Sequence, residues 1–203
     1  MAQAEQYFAA EPQSKDVRKT LHVTLRGNEA DVEVSNGVFS GNRVDLGTSV
    51  LLRQAPEPPE EGTFLDLGCG WGPIALALGF ASPKADIWAV DVNERALELT
   101  RRNAELNAMC NIHAATADGI PAETTFDLIW SNPPIRVGKE VLHTLLMTWL
   151  PRLNAGGAAY LVVQKNLGSD SLIPWLATQL GDGYEVSKYA CSKGFRVIEV
   201  MKA

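Results

Sequence analysis

The chain of 203 residues is poor in the residues that staple, ligate or steer. It has three cysteines, Cys69, Cys110 and Cys191, an odd number with no C-x-x-C spacing, so neither a disulfide framework nor a zinc or dithiol site is written into it. Its three histidines, His22, His113 and His143, share no ligand spacing, and no metal is expected. Positive charge is not in excess. Eighteen Lys and Arg against twenty-four Asp and Glu leave a formal charge of −6, which argues against a protein held on nucleic acid mainly by a diffuse positive field. Two net-positive runs, Ser14–Arg26 and Lys188–Lys202, leave room for a local basic patch. No apolar run is long enough to cross a bilayer. The opening MAQAEQYFAAEP lacks the charged-then-apolar layout of a signal peptide, so a cytoplasmic protein is the expectation.

What the chain does have is alternation. From Thr63 onward, short apolar runs alternate with segments of helical period. TFLDLG, ADIWAVD, NIHAATA, FDLIWS and AAYLVVQ read as strands. Pro73–Ala81, the segment after an Asn93 N-cap, Lys139–Leu153 (closed by NAGG) and Ser171–Leu180 read as helices. Such an order implies an α/β, doubly wound, mostly parallel sheet, with ligands taken at the carboxyl ends of its strands. YEVSKYA and FRVIEVMK, flanking Cys191–Gly194, add an antiparallel C-terminal hairpin. Upstream, LHVTLRG and ADVEVS, joined through Gly27-Asn28, form a small N-terminal β extension. The acidic linker PEPPEEG then leads into the core, so residues 1–56 are expected as the extension and 57–203 as one structural unit.

The first core strand runs into LDLGCGWGPIA. Glycines between a strand and a helix allow a tight turn and close approach of a ligand. The spacing is G-x-G-x-G, and Pro73 occupies the place where a dinucleotide fingerprint has its third glycine. A carboxylate at Asp66 would face a pyrophosphate unfavourably, and suits a cation instead. S-adenosylmethionine, a cation with an amino-acid moiety, fits better. Asp91, ending the second strand, is placed to accept from ribose hydroxyls, and Asp118, after the third, from the adenine amino group. A structural turn alone is the plainer reading of the glycines, but three acids at three successive strand ends are hard to reconcile with coincidence.

The fourth strand ends in Ser131-Asn132-Pro133-Pro134. An amide followed by two residues without an N–H offers acceptors and no competing donor. An exocyclic amine on a conjugated ring is a poor nucleophile. Two fixed acceptors, the Asn132 side-chain oxygen and the Pro133 carbonyl directed by Pro134, would orient its hydrogens and turn its nitrogen towards a methyl donor. Asn-Pro is also a common turn initiator, which is the bland alternative.

In order, LDLGCGWG, AVDVNERAL, TADG and SNPPI resemble the class I S-adenosylmethionine-dependent methyltransferases, here seven-stranded and Rossmann-like. SNPPIRVGKE, with GVFSGNRVDLGTSVLL upstream and VVQKNLGSDSL downstream, resembles the 16S ribosomal RNA guanine-N2 methyltransferases of the small-subunit methyltransferase C type and their shorter, single-domain relatives. That likeness implies methyl transfer to guanine N2, with ribosomal RNA or the small ribosomal subunit as partner. The implied cofactor residues are Asp66, Gly68, Cys69, Gly70, Gly72, Asp91, Val92, Asp118, Gly119 and Asn132, with Thr48 closing the pocket. Asn132, Pro133 and Pro134 are the catalytic candidates.

Many relatives that share the motif and methylate adenine N6 or glutamine amides have an aromatic residue after the prolines. Here it is Ile135, so stacking is lost or supplied elsewhere. Ile135, Arg136, Lys139, Phe39 and Lys165 are candidates for meeting the substrate. The cations read equally as solvated surface, and Phe39 and Trp71 read equally as core. Asp45 reads either as a pocket wall or as the N-cap of the helix that follows it. Adenine-N6 or glutamine-amide methylation, and an RNA-binding assembly factor on a methyltransferase scaffold, stand as alternatives. An NAD dehydrogenase is disfavoured by Asp66 and Pro73.

Overall fold

The computed structural model describes residues 15–203, apart from the side chains of Arg136 and Leu167. The leader reading of residues 1–12, Ser14 of the first basic run and the Arg136 side chain therefore lie outside the described residues.

A seven-stranded sheet forms the centre, built from β3 (Thr63–Leu67), β4 (Asp86–Val90), β5 (Ile112–Ala115), β6 (Phe126–Ser131), β7 (Leu153–Gln164), β8 (Tyr184–Ser192) and β9 (Phe195–Lys202) in the order β5-β4-β3-β6-β7-β9-β8. β3 to β7 run parallel, and β9 and β8 close the far edge antiparallel. Strand order reverses between β3 and β6, so the crevice at their carboxyl ends is where such a sheet takes its ligand. The alternation expected from the sequence is the observed class of fold, including the C-terminal hairpin. The N-terminal hairpin of β1 (Arg18–Leu25) and β2 (Asn28–Ser35) forms its own two-stranded sheet.

The two faces bury different partners. Phe64, Ile87, Leu128, Trp130 and Val162 pack one face beneath α1 (Leu46–Gln54), α2 (Pro73–Ala81), α3 (Glu94–Leu106) and the hairpin. Leu65, Leu67, Ile129, Leu161 and Val163, the alternate residues, pack the other beneath α4 (Lys139–Trp149) and α5 (Ser169–Leu180). α2 is apolar all round and buried from Pro73 to Gly79, with Pro73 in its first turn. α3 buries only Ala96, Leu97, Leu99, Thr100, Asn103 and Ala104, and Asn93 caps it by accepting from the N–H groups of Arg95 (3.0 Å) and Ala96 (3.4 Å).

Four boundaries differ from the sequence reading. The helix expected over Lys139–Leu153 stops at Trp149, and a 3₁₀ turn, Leu150–Arg152, follows, because Pro151 supplies no N–H to continue the α-helix. NAGG is therefore no helix stop but the opening of β7. Gly156 takes positive φ (78°), and a Cβ on Gly157 would meet the carbonyl oxygens of Asn154, Phe126 and Asp127 at 2.9–3.1 Å, where the β6–β7 register slips. The first hairpin turns at Arg26 and Gly27 (φ 50° and 87°), one residue earlier than expected, since both central positions of so tight a turn need positive φ. α5 begins at Ser169, two residues early, after Gly168 in the left-handed conformation.

Among the described residues no helix is long and apolar enough to cross a membrane.

Candidate active site

The glycine turn and the Asn-Pro-Pro turn meet at the switch point. Leu67 and Ser131 are register partners in β3 and β6, so Gly68 and Asn132 leave the sheet side by side. Gly68, Gly70 and Gly72 all have positive φ (81°, 57° and 90°), which an L side chain rarely adopts. The N–H groups of Gly68 and Cys69 both donate to the Val90 carbonyl (2.8 and 2.9 Å). A Cβ on Gly68 would meet nothing within 4 Å and one on Gly70 only the Phe39 carbonyl, whereas one on Gly72 would press on Thr100 at 3.0 Å. The first two glycines thus leave open space, and the third allows helix packing.

Asp66 is wholly buried. One carboxylate oxygen accepts from the Ala75 N–H at the start of α2 (2.9 Å), and Oδ1 has no hydrogen-bond partner. Burial, reinforced by the charge of Asp91, pushes its pKa up to about 8. Asp91 is braced by Gly70 and Asn93, whose N–H groups each donate to one of its oxygens (2.9 Å); burial raises its pKa too. Each of those oxygens keeps a further lone pair for a hydroxyl. Val92 stands 55% exposed beside it, an apolar surface open to a flat ring. Asp118 and Gly119 lie exposed in a 3₁₀ turn after β5, where a hydrogen bond from the Thr116 side chain holds the Asp118 carboxyl below its usual range. The Cys69 thiol is buried and pushed up by burial, which makes it packing rather than a nucleophile.

On the other side of the crevice, Asp45 caps α1, its Oδ2 accepting from the N–H groups of Gly47 (2.7 Å) and Thr48 (3.3 Å). That same oxygen accepts from Asn132 Nδ2 (2.9 Å), and the Thr48 hydroxyl oxygen lies 3.1 Å from the same nitrogen. Both readings of Asp45 are therefore partly met: it is an N-cap, and it lines the cleft with Thr48, Gly68, Gly70 and Asn132. Among the described residues Asn132 Oδ1 accepts no hydrogen bond. Pro133 is buried, and its carbonyl accepts from the Ile135 N–H (2.8 Å) across a tight turn at Pro134 (φ −73°, ψ 76°). The direction of that carbonyl is fixed, and one lone pair remains.

Phe39 is no core residue: it stands 45% exposed on the cleft wall. Trp71 is core, 1% exposed, although its residue borders the cleft. Lys139, at the first turn of α4, and Lys165, after β7, are exposed on the carboxyl side of the sheet, and Ile135 is partly buried in the 3₁₀ turn after the prolines. The sequence reading missed Asn103 and Phe195. The buried Asn103 amide accepts from the Glu33 N–H (2.6 Å) and donates to the carbonyls of Glu33 (2.9 Å) and Trp71 (2.8 Å), tying the hairpin to the glycine turn. An asparagine among buried helix positions was the available signal. Phe195 Cε1 and Asn132 Nδ2 lie 3.1 and 3.2 Å from the point where a Gly47 Cβ would sit. No local pattern announces that approach. Among the described residues no group of three or more His, Cys, Asp or Glu could hold a metal ion.

A family model described as methyltransferase small domain matches residues 29–199. The chain belongs to this family. It is 37% identical over 202 residues to the uncharacterized protein YbxB of Bacillus subtilis (strain 168), covering 98% of this chain and 99% of that protein. It is 36% identical over 136 residues to the ribosomal RNA small subunit methyltransferase C of Pseudoalteromonas translucida (strain TAC 125), covering 66% of this chain and 39% of that protein. The chain thus spans well under two thirds of the methyltransferase C sequence it matches. Among solved structures, the T. thermophilus 16S rRNA N2 methyltransferase RsmC, in complex with AdoMet and guanosine, superposes with a TM-score of 0.78. That match has 24% identity and covers 95% of this chain and 52% of that one; it bears on the fold. A methyltransferase from Pyrococcus furiosus follows at 0.57, with 26% identity over 70% of this chain and 75% of that one.

The family is one of S-adenosylmethionine-dependent methyltransferases, and the residues present fit that cofactor. The space over Gly68 and Gly70 admits a ligand against the backbone, and the orphaned Oδ1 of Asp66 is a buried acceptor waiting for a donor.

Proposed function

We propose that this methyltransferase acts on an exocyclic base nitrogen, guanine N2 of small-subunit ribosomal RNA. The observation that carries the reading is the orientation of Asn132: its NH₂ group is turned into Asp45 and Thr48, which leaves Oδ1 as an acceptor at the crevice beside Gly68. An amino nitrogen presented there would give one hydrogen to Asn132 Oδ1 and the other to the free lone pair of the Pro133 carbonyl. Holding both hydrogens takes the lone pair out of conjugation and aims it.

When bound, S-adenosylmethionine supplies an electrophilic methyl whose leaving group is a neutral thioether. Asp66 and the Gly68–Gly72 turn would hold its amino-acid part, Asp91 its ribose hydroxyls, and Val92 and Asp118 its base. Phe39 offers a partly exposed ring on the cleft wall for the target base, and Lys139 and Lys165 offer charge to phosphates. A paired guanine must first leave its stack, at a cost of a few kcal/mol. The likeness to methyltransferase C supports ribosomal RNA as the substrate class and small-subunit RNA within it.

The test is to incubate the protein with methyl-tritiated S-adenosylmethionine and, in parallel, transcribed 16S RNA, immature subunits and mature subunits. Labelled RNA is then digested to nucleosides. N2-methylguanosine is the expected product. Label in N6-methyladenosine, in glutamine of a protein substrate, or in nothing at all overturns the reading.

A further inference from the structure

We infer that Asp45 is a positioning residue whose carboxylate decides which way round the Asn132 amide sits. The inference rests on the reading of Asn132 as the acceptor for the substrate amine.

An asparagine amide has two faces of nearly equal shape and opposite chemistry, related by a half-turn about its last bond. One orientation offers the crevice an acceptor, the other an NH₂ group that would oppose the hydrogens of an incoming amine. Thr48 cannot choose between them, because a hydroxyl is both donor and acceptor. The Asp45 carboxylate can, because it only accepts. Placed 2.9 Å from the amide, it admits Nδ2 and repels Oδ1. Asp45 is itself immobilised, since the oxygen that meets Asn132 also accepts from the first-turn N–H groups of Gly47 and Thr48. Helix cap and amide latch are one atom, and the latch joins residues 87 positions apart in sequence.

The cap and the latch separate by substitution. Asp45→Ser keeps a good capping side chain but is one bond too short to reach Asn132 as the carboxylate does. Asp45→Gly removes the latch altogether, while glycine is tolerated at an N-cap with little loss of helix stability. Expected for Asp45→Ser are an unfolding midpoint within a few degrees of the parent and calorimetric S-adenosylmethionine affinity within a few-fold. Its kcat on 16S transcript falls roughly a hundredfold with little change in KM, as for a reacting group displaced by a fraction of an ångström to 1 Å. Asp45→Gly gives a loss of the same order. A second readout is independent of turnover. The Asn132 side-chain amide resonances, identified by their disappearance in Asn132→Ala, should exchange slowly with water in the parent and quickly in Asp45→Ser.

Full turnover in Asp45→Ser, or a loss carried by cofactor affinity, overturns the inference. If Asp45→Ser does not fold, parental turnover and parental amide exchange in Asp45→Gly overturn it equally. Full turnover in Asn132→Ala would instead sink the proposed role of Asn132, while the amide resonances would still report whether Asp45 holds it.

Discussion

The Ser131 hydroxyl donates to the Leu67 carbonyl at 2.6 Å, across the place where the sheet's strand order reverses. Both residues are buried, and each is the last of its strand. The bond keeps the ends of β3 and β6 together where the chain leaves one strand for the glycine turn and the other for the Asn-Pro-Pro turn. Ser131→Ala should cost about 1 kcal/mol through the lost hydrogen bond. In a chain of this size that lowers the thermal midpoint by about 2–4 °C. Cofactor affinity, measured by calorimetry, should weaken alongside it.

Asp66 gives the protein a pH dependence of defined sign. Its carboxyl titrates near 3.8 in the unfolded chain and near 8 in the folded protein without ligand. Between those values the folded state keeps a proton that the unfolded state has released, so stability falls as pH rises across that window and levels off above it. Asp91, shifted in the same direction, adds to the slope. Denaturant midpoints between pH 5 and pH 9 should therefore decline less steeply in Asp66→Asn than in the parent; parallel curves would exclude Asp66 as a source.

Saturating S-adenosylmethionine should flatten the same slope, because a bound ammonium or sulfonium favours the ionised carboxylate. Binding should then release protons below pH 8, read as a buffer-dependent heat in calorimetry, and Asp66→Asn should diminish that dependence.

Gly47 sits in the first turn of α1, where Ala for Gly gains at most part of the roughly 1 kcal/mol of a helix interior. Here the new methyl would lie 3.0 Å from the Asp45 carboxylate, 3.1 Å from the Phe195 ring and 3.2 Å from Asn132 Nδ2. Each neighbour must yield by a few tenths of an ångström. Gly47→Ala should leave the thermal midpoint nearly unchanged, propensity gain offsetting crowding, while methyl transfer drops at least tenfold because the amide is pushed from its place.

The buried Asn103 amide makes three hydrogen bonds to backbone groups of β2 and the glycine turn. Asn103→Leu leaves those groups unpartnered away from water, at about 1–3 kcal/mol for each that finds no other partner. A thermal midpoint lowered by several degrees, with cofactor affinity reduced in step, is the expected result.

The fold was legible because its signal is local. Strand–turn–helix alternation, Pro73 at a helix start and Asn93 as a cap are each readable in windows of a few residues, and the structure has all three. LDLGCGWG and SNPPI were legible as turns at strand ends; each alone has a common structural use, and the structure brings the two side by side at the switch point. Where sequence reading failed or stayed open, a local pattern had two outcomes and tertiary packing chose. NAGG carries the glycines of a helix stop, yet they serve close approach of β7 to β6. Phe39 resembles a core aromatic, and its exposure depends on a cleft formed by segments far from it in the chain. Asp45 and Asn132 meet only because α1 lies over β7 and β9, a packing that no short window contains.

The Asn103 bridge bears on how the protein can be cut. Glu33 in the ribbon and Trp71 in the glycine turn hang on one side chain, and Leu25, Val32 and Val34 cover apolar surface shared with α1 and α3. A fragment begun at the acidic linker would strip that amide of two of its three hydrogen bonds and lay bare a greasy patch next to the crevice. The ribbon works as a splint: remove it, and the glycine turn loses its brace.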